Sequence, residues 1–278
     1  AGNTLLRLRK ELGLFANLRA IKVFPSLVDS SPLKPETARE VDLIIVRELI
    51  GGLYYGEPRG IDQARTGKTA FNTMAYSEAE VERVLKVAFQ LSQQRSRRLL
   101  SVDKSNVIEV SRLWRETATR LGQDYPDVEL RHMYVDTAAM ALIAEPASLD
   151  VVVTENTFGD ILGDEAAILS GSLGMIPSAS LAEQSGGGAF GLYEPILHSV
   201  DSISVGSHTV NPIGSILSAA LMLRYSFNLE SEAAAIEAAV STVLEQGYRT
   251  VDIARTGERH IGTDEMGELV VKAVLDAP

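Results

Sequence analysis

The sequence predicts an α/β protein built on an open sheet of parallel strands, and three observations carry that reading. Short apolar runs rich in β-branched residues alternate with amphipathic stretches of helical period through residues 41–167. The chain has 278 residues, room for one large or two ordinary α/β domains. Chemically suggestive groups also fall where the strands end, which is where open α/β sheets carry their ligands.

Taken in order, residues 41–46 (VDLIIV) form a continuous apolar strand. Residues 54–76 are a polar, turn-rich excursion with Gly56, Pro58, Gly60 and Gly67, either a loop or an arm that pairs with another subunit. Ser77-Glu78-Ala79-Glu80 is a capping box opening a helix with Val81, Val84, Leu85, Ala88 and Leu91 on one face. Residues 99–102 return as a strand, and 107–121 make an amphipathic helix holding the sole tryptophan, Trp114. A strand at 130–135 and a helix at 137–144 follow, then the strand 149–153 (LDVVV) and a helix over TENTFGDILGDEAA (154–167). The last third differs. Residues 182–191 read as a glycine-rich structural loop without phosphate-gripping spacing. Asn211-Pro212 caps an apolar helix at 213–227, and helices at 230–246 and 263–277 complete the chain.

Composition narrows the function classes. With 45% hydrophobic and 23% charged residues the chain is a folded globular protein rather than a disordered one. The absence of cysteine excludes disulfides, thiolate nucleophiles and cysteine metal sites, and makes the cytoplasm the default compartment. A net charge of −11 argues against nucleic acid as partner. No apolar run is long enough to span a bilayer, so no membrane is expected. The basic run at 94–98 suits the C-terminal turn of a helix.

Asp160 and Asp164 share one helical face directly after a strand, and nothing within the run offers an i,i+4 cation. Taken alone, the pair reads first as a solvated acidic face beside an N-cap. A cation between the carboxylates would relieve their repulsion, and hard oxygen ligands suit Mg²⁺ or Mn²⁺. Asp103-Lys104 and Asp136 stand at other strand ends, which favours a site. Arg9, Arg19 and Arg47 each read singly as surface residues, but as a cluster they suit a multiply carboxylated substrate. Tyr54 and Lys104 are the acid/base candidates, against a packed aromatic and an ordinary strand-end lysine.

Residues 8–19 (LRKELGLFANLR), 46–60 (VRELIGGLYYGEPRG), 101–107 (SVDKSNV), 125–136 (YPDVELRHMYVD), 154–167 and 171–181 (GSLGMIPSASL) resemble, in order, the isopropylmalate/isocitrate dehydrogenase family of β-decarboxylating dehydrogenases. Within the family the motifs look like those of 3-isopropylmalate dehydrogenases. The resemblance implies a two-domain α/β open sheet, with the first domain incomplete. Residues 15–170 would form the central substrate, metal and dimerisation unit with its arm near 54–76. Residues 1–14 plus 171–278 would be the remainder of a discontinuous dinucleotide-binding domain. It further implies oxidative decarboxylation of 3-isopropylmalate to 4-methyl-2-oxopentanoate with NAD⁺ and Mg²⁺ or Mn²⁺, in leucine biosynthesis, by a homodimer with shared sites. Arg9, Arg19 and Arg47 would hold the malate carboxylates, and Tyr54 and Lys104 would move protons, Lys104 across the dimer interface. Asp136, Asp160 and Asp164 would ligate the metal, with Asp136 contributed by the partner and touching substrate. Leu5, Leu6 and Val107 would receive the isopropyl group.

Two departures accompany the resemblance. The family's opening strand and glycine-rich turn are not in this sequence, which begins at Ala1 within the helix bearing the first arginine. Between Glu194 and Pro212 the cofactor loop is altered, with Ser202 where an acidic ribose ligand is expected. Ser199 and Asn211 are the cofactor-binding residues that still match. The alternatives are another β-decarboxylating 2-hydroxy acid dehydrogenase, of isocitrate or tartrate type, and a weakly active or non-catalytic truncated paralogue. Leu5-Leu6 favours an apolar substrate tail over a third carboxylate.

Overall fold

Hydrophobic alternation explains how the sheet is covered. In the strand around residue 44, Leu43 and Ile45 belong to one core and Ile44 and Val46 to the other, so both faces are buried. The computed structural model describes residues 2–65, 67–185, 188–196, 206 and 208–276. In chain order, helix α1 (Gly2–Glu11) leads into β1 (Ala16–Lys22), the short α2 (Pro35–Ala38) and β2 (Asp42–Glu48). The hairpin β3 (Gly60–Ala64) and β4 (Gly67–Phe71) precedes α3 (Glu78–Gln94), β5 (Arg98–Asp103), α4 (Glu109–Leu121) and β6 (Glu129–Tyr134). Then come α5 (Val135–Ala144), β7 (Val151–Thr154), α6 (Asn156–Ile168), β8 (Pro177–Ser185), β9 (Gly188–Pro195), α7 (Ile213–Phe227), α8 (Glu230–Glu245) and α9 (Thr263–Leu275).

Seven strands form one sheet in the order β6-β5-β7-β2-β1-β8-β9. The first four are parallel, as the alternating pattern predicts, while β1, β8 and β9 join antiparallel. Helices α3 and α4 cover one face through Val81, Val84, Leu85, Ala88, Trp114 and Ala118. Helices α5, α6, α8 and α9 cover the other through Ala138, Leu142, Leu162, Ala166, Val243 and Met266. The sheet runs across the boundary drawn at residue 170, so its strands do not mark that division.

The antiparallel strands are where the sequence reading falls short. β1 (ANLRAIK) buries Asn17 and Arg19, which break the apolar pattern of a core strand. The segment 182–191 lies largely in β8 and β9, paired from Pro177↔Pro195 to Ser185↔Gly188 with a register shift between Leu181 and Gln184. Read as a loop, most of it is paired strand, because its glycines and polar residues count against strand propensity while the pairing is set by tertiary structure. The excursion at 54–76 carries β3 and β4, an isolated pair whose described residues are exposed. Among the described residues no helix is long and apolar enough to cross a membrane.

The capping box at Ser77 forms on both sides. Ser77 Oγ accepts from the Glu80 N–H, and Glu80 Oε2 accepts from the Ser77 N–H at 2.8 Å. Ser77→Ala is expected to lower stability by about 1 kcal/mol, read as a lower urea midpoint at unchanged slope. An unchanged midpoint would deny the cap that role.

Candidate active site

The order of strands assembles the site. Arg47 lies near the carboxyl end of β2 opposite Thr154 of β7, directly before α6, and the antiparallel β1 sets Arg19 opposite Ile45. Both guanidinium side chains are buried, yet each reaches α6. They fit because α6 carries glycine immediately before each aspartate. A Cβ on Gly159 would lie 2.7 Å from Arg47 Cγ, and one on Gly163 2.4 Å from Arg19 Nη1. The GDILGD spacing thus makes a groove for two arginines beside a row of two carboxylates, four residues apart.

Arg19 Nη1 donates to Asp164 Oδ1 at 2.8 Å, and Arg19 Nη2 to Asp160 Oδ1 at 3.3 Å. Arg47 Nη1 pairs with Asp160 Oδ1, and Tyr54 OH donates to Asp160 Oδ2 at 2.9 Å. A cation therefore does bridge the two carboxylates, but it is Arg19, from a strand 141 residues earlier in the chain. Arg9 of α1 is held at 3.1 Å by Glu194 of β9. Leu5, Leu6, Arg9, Arg19, Arg47, Tyr54 and Asp160 all line one cleft of about 390 Å³.

Electrostatics follow from burial and pairing. Desolvation lowers the Arg47 guanidinium to about 10 against the opposing pull of Asp160. Desolvation also raises the Tyr54 phenol to about 12, reinforced by the charge and hydrogen bond of Asp160. The phenol is therefore a retained proton donor across the neutral range.

The other expected residues stand apart. Lys104, just beyond β5, donates to Asp136 Oδ1 of α5 at 2.5 Å, and that bond holds the Asp136 carboxyl below its usual value. Neither residue lines the cleft, and Val107 is 65% exposed. Among the described residues no three carboxylate or imidazole groups are placed to hold a metal ion. One chain thus holds Asp160 and Asp164 together and Asp136 elsewhere. Ser199 lies outside the described residues. Asn211 is buried, with its Nδ2 donating to Asp252 Oδ2 at 3.1 Å and its Oδ1 accepting from the Ile213 N–H at 2.9 Å.

The family model described as isocitrate/isopropylmalate dehydrogenase matches residues 1–270. The chain belongs to that family. It is 54% identical over 271 residues to a 3-isopropylmalate dehydrogenase of Synechococcus sp. (strain JA-3-3Ab), covering 97% of this chain and 70% of that protein. A 3-isopropylmalate dehydrogenase of Acinetobacter baylyi is 52% identical over 272 residues, 97% of this chain and 74% of its own length. Among solved structures, isocitrate dehydrogenase from Methylococcus capsulatus superposes with a TM-score of 0.84 at 30% identity, covering 97% of this chain and 76% of that one. The isocitrate/isopropylmalate dehydrogenase fold and an oxidoreductase activity are thereby assigned.

Sequence reasoning gave no role to Asn17, Asn156, Gly159 or Gly163. The doubled Gly-Asp was the readable signal, whereas the asparagines carry none outside their tertiary contacts.

Tyr54 supplies a direct test of the cleft. Its folded-state value lies above the unfolded one, so the protonated phenol's contribution to stability is complete below pH ~10 and lost as pH rises through ~12. The ultraviolet phenolate titration of the wild type minus that of Tyr54→Phe is expected to show a midpoint near 12. A difference curve centred near 10, the ordinary tyrosine value, would separate Tyr54 from Asp160.

Proposed function

We propose that this chain catalyses the oxidative decarboxylation of 3-isopropylmalate to 4-methyl-2-oxopentanoate, with NAD⁺ and Mg²⁺ or Mn²⁺, as a cytoplasmic homodimer with shared sites. The observation that carries the proposal is the convergence of Arg9, Arg19, Arg47, Tyr54 and Asp160 on one cleft whose wall includes Leu5 and Leu6. The names of the relatives at 52–54% identity agree with it. Residues 15–170 would serve as the substrate, metal and dimerising unit.

The arginines bind the two malate carboxylates, and forked guanidinium donors match carboxylate geometry. Leu5 and Leu6 give the isopropyl group an apolar contact, joined by Val107 of the partner subunit. The partner's Lys104 or the partner's Asp136 receives the hydroxyl proton. Tyr54, with its proton firmly held, delivers it to the enol left after carbon dioxide departs.

Asp160 and Asp164 fit a resident divalent ion. Their carboxylates are partly exposed, at 26% and 38%, and stand one helical turn apart as hard oxygen donors. With the partner's Asp136 they would hold it, and when bound the metal supplies Lewis-acid polarisation of the substrate oxygen. For NAD⁺, the hydride acceptor, Ser199 and Asn211 are the residues that the family resemblance matches.

Dimerisation has its own support. Met140 and Ile143 on α5, and Ile161 and Ile168 on the adjoining α6, are between 47% and 63% exposed. An apolar group of that size favours cover by another surface. The hairpin β3–β4 presents unpaired edges suited to a second copy.

Mixing subunits tests shared sites. Lys104→Ala and Asp160→Ala are each expected to abolish 3-isopropylmalate-dependent NADH formation. Mixed dimers carry one intact site, so random exchange of the two variants should restore about a quarter of wild-type activity. No recovery after exchange would refute sharing, and no wild-type turnover with either metal would refute the activity.

A further inference from the structure

Each of the two buried arginines is held from behind by a buried asparagine. Arg19 Nε donates to Asn17 Oδ1 at 3.1 Å. Arg47 Nε and Nη2 donate to Asn156 Oδ1 at 2.9 and 2.7 Å. Both asparagines are essentially inaccessible, at 2% and 0% exposure. Their amide orientations follow from the surroundings, since each nitrogen faces acceptors. Asn17 Nδ2 donates to Ser178 Oγ at 2.8 Å and Ser180 Oγ at 3.0 Å. Asn156 Nδ2 donates to the carbonyls of Leu49 and Gly51 at 3.1 and 3.0 Å.

We propose that Asn17 and Asn156 are positioning residues, neutral amides that aim the Arg19 and Arg47 guanidinium groups into the cleft without cancelling their charge. A carboxylate in either place would grip the guanidinium more strongly, but it would compete with the carboxylates of a substrate. An amide oxygen fixes the Nε edge and leaves each Nη1 directed at α6, where Asp160 and Asp164 stand. Asn156 does a second job. Through the Leu49 and Gly51 carbonyls it fastens the segment leading to Tyr54, and its own N–H donates to Tyr76 OH at 3.1 Å. The first residue of α6 thus ties together a substrate arginine and the approach to the proton donor. Arg9 is the contrast, for its Nε is buried with no partner.

The inference rests on the substrate reading above, and its test has one arm that does not. Asn17→Asp keeps the acceptor, and the Ser178 and Ser180 hydroxyls can rotate to donate to it. The expected result is a KM for 3-isopropylmalate raised about tenfold with kcat changed less than about twofold. An unchanged KM overturns the argument from charge. The second arm follows arginine Nε–H resonances by NMR in the apo protein. Asn17→Ala should merge the slowly exchanging Arg19 signal with those of exposed arginines while leaving Arg47 in place, and Asn156→Ala should do the reverse. Persistence of either signal in its own variant overturns the positioning role. Should Asn17→Ala fail to fold, Asn17→Ser, too short to reach Arg19, replaces it. A wild type without turnover would refute the activity, and the NMR arm alone would then decide this proposal.

Discussion

Two guanidinium groups buried against two aspartates set the terms for the rest of this molecule. Placing an ionised side chain in a protein interior costs several kcal/mol unless its partners are in position. Arg19 and Arg47 meet that requirement only because β1, β2 and β7 are neighbours and α6 begins where β7 ends. The glycines before each aspartate matter for the same reason, since any larger residue there would push an arginine out of its groove. Sheet order, helix sequence and charge placement are one constraint seen at three scales.

The cluster also explains a difference between the two halves of the site. The arginine side is built into the core, with its donors fixed by buried amides and its acceptors on a packed helix. The Lys104–Asp136 side is a solvent-facing pair next to exposed Val107, and Asp136 shares α5 with exposed Met140 and Ile143. The fixed donors of the first suit a charge-selective pocket. The second stands open to solvent, with Asp136 60% and Val107 65% exposed.

Much of this was legible beforehand. The parallel strands, α3 with its capping box, α4 around Trp114 and the apolar α7 all announce themselves through local periodicity and end signals. Arg9, Arg19, Arg47, Tyr54 and Asp160 could be nominated from strand-end position and family resemblance, and the cleft brings those five together. β1, β8 and β9 escaped because their patterns are broken by polar residues or glycines whose value is tertiary. Along the run itself no cation faces Asp160 and Asp164, and the fold brings Arg19 from a distant strand to pair with both.

By itself the sequence determined the alternation of strands and helices, the paired aspartates on one helical turn and the family to which the chain belongs. Those are properties of spacing, and spacing is written along the chain. Only the tertiary structure decided which cation faces those aspartates, which amides hold the arginines and that Lys104 and Asp136 lie outside the cleft. Asn17 stands two residues from Arg19, but Arg19 meets Asp160, Arg47 meets Asn156 and Lys104 meets Asp136 across gaps of 141, 109 and 32 positions. A buried Asn and a surface Asn look alike in one dimension, and only packing tells them apart.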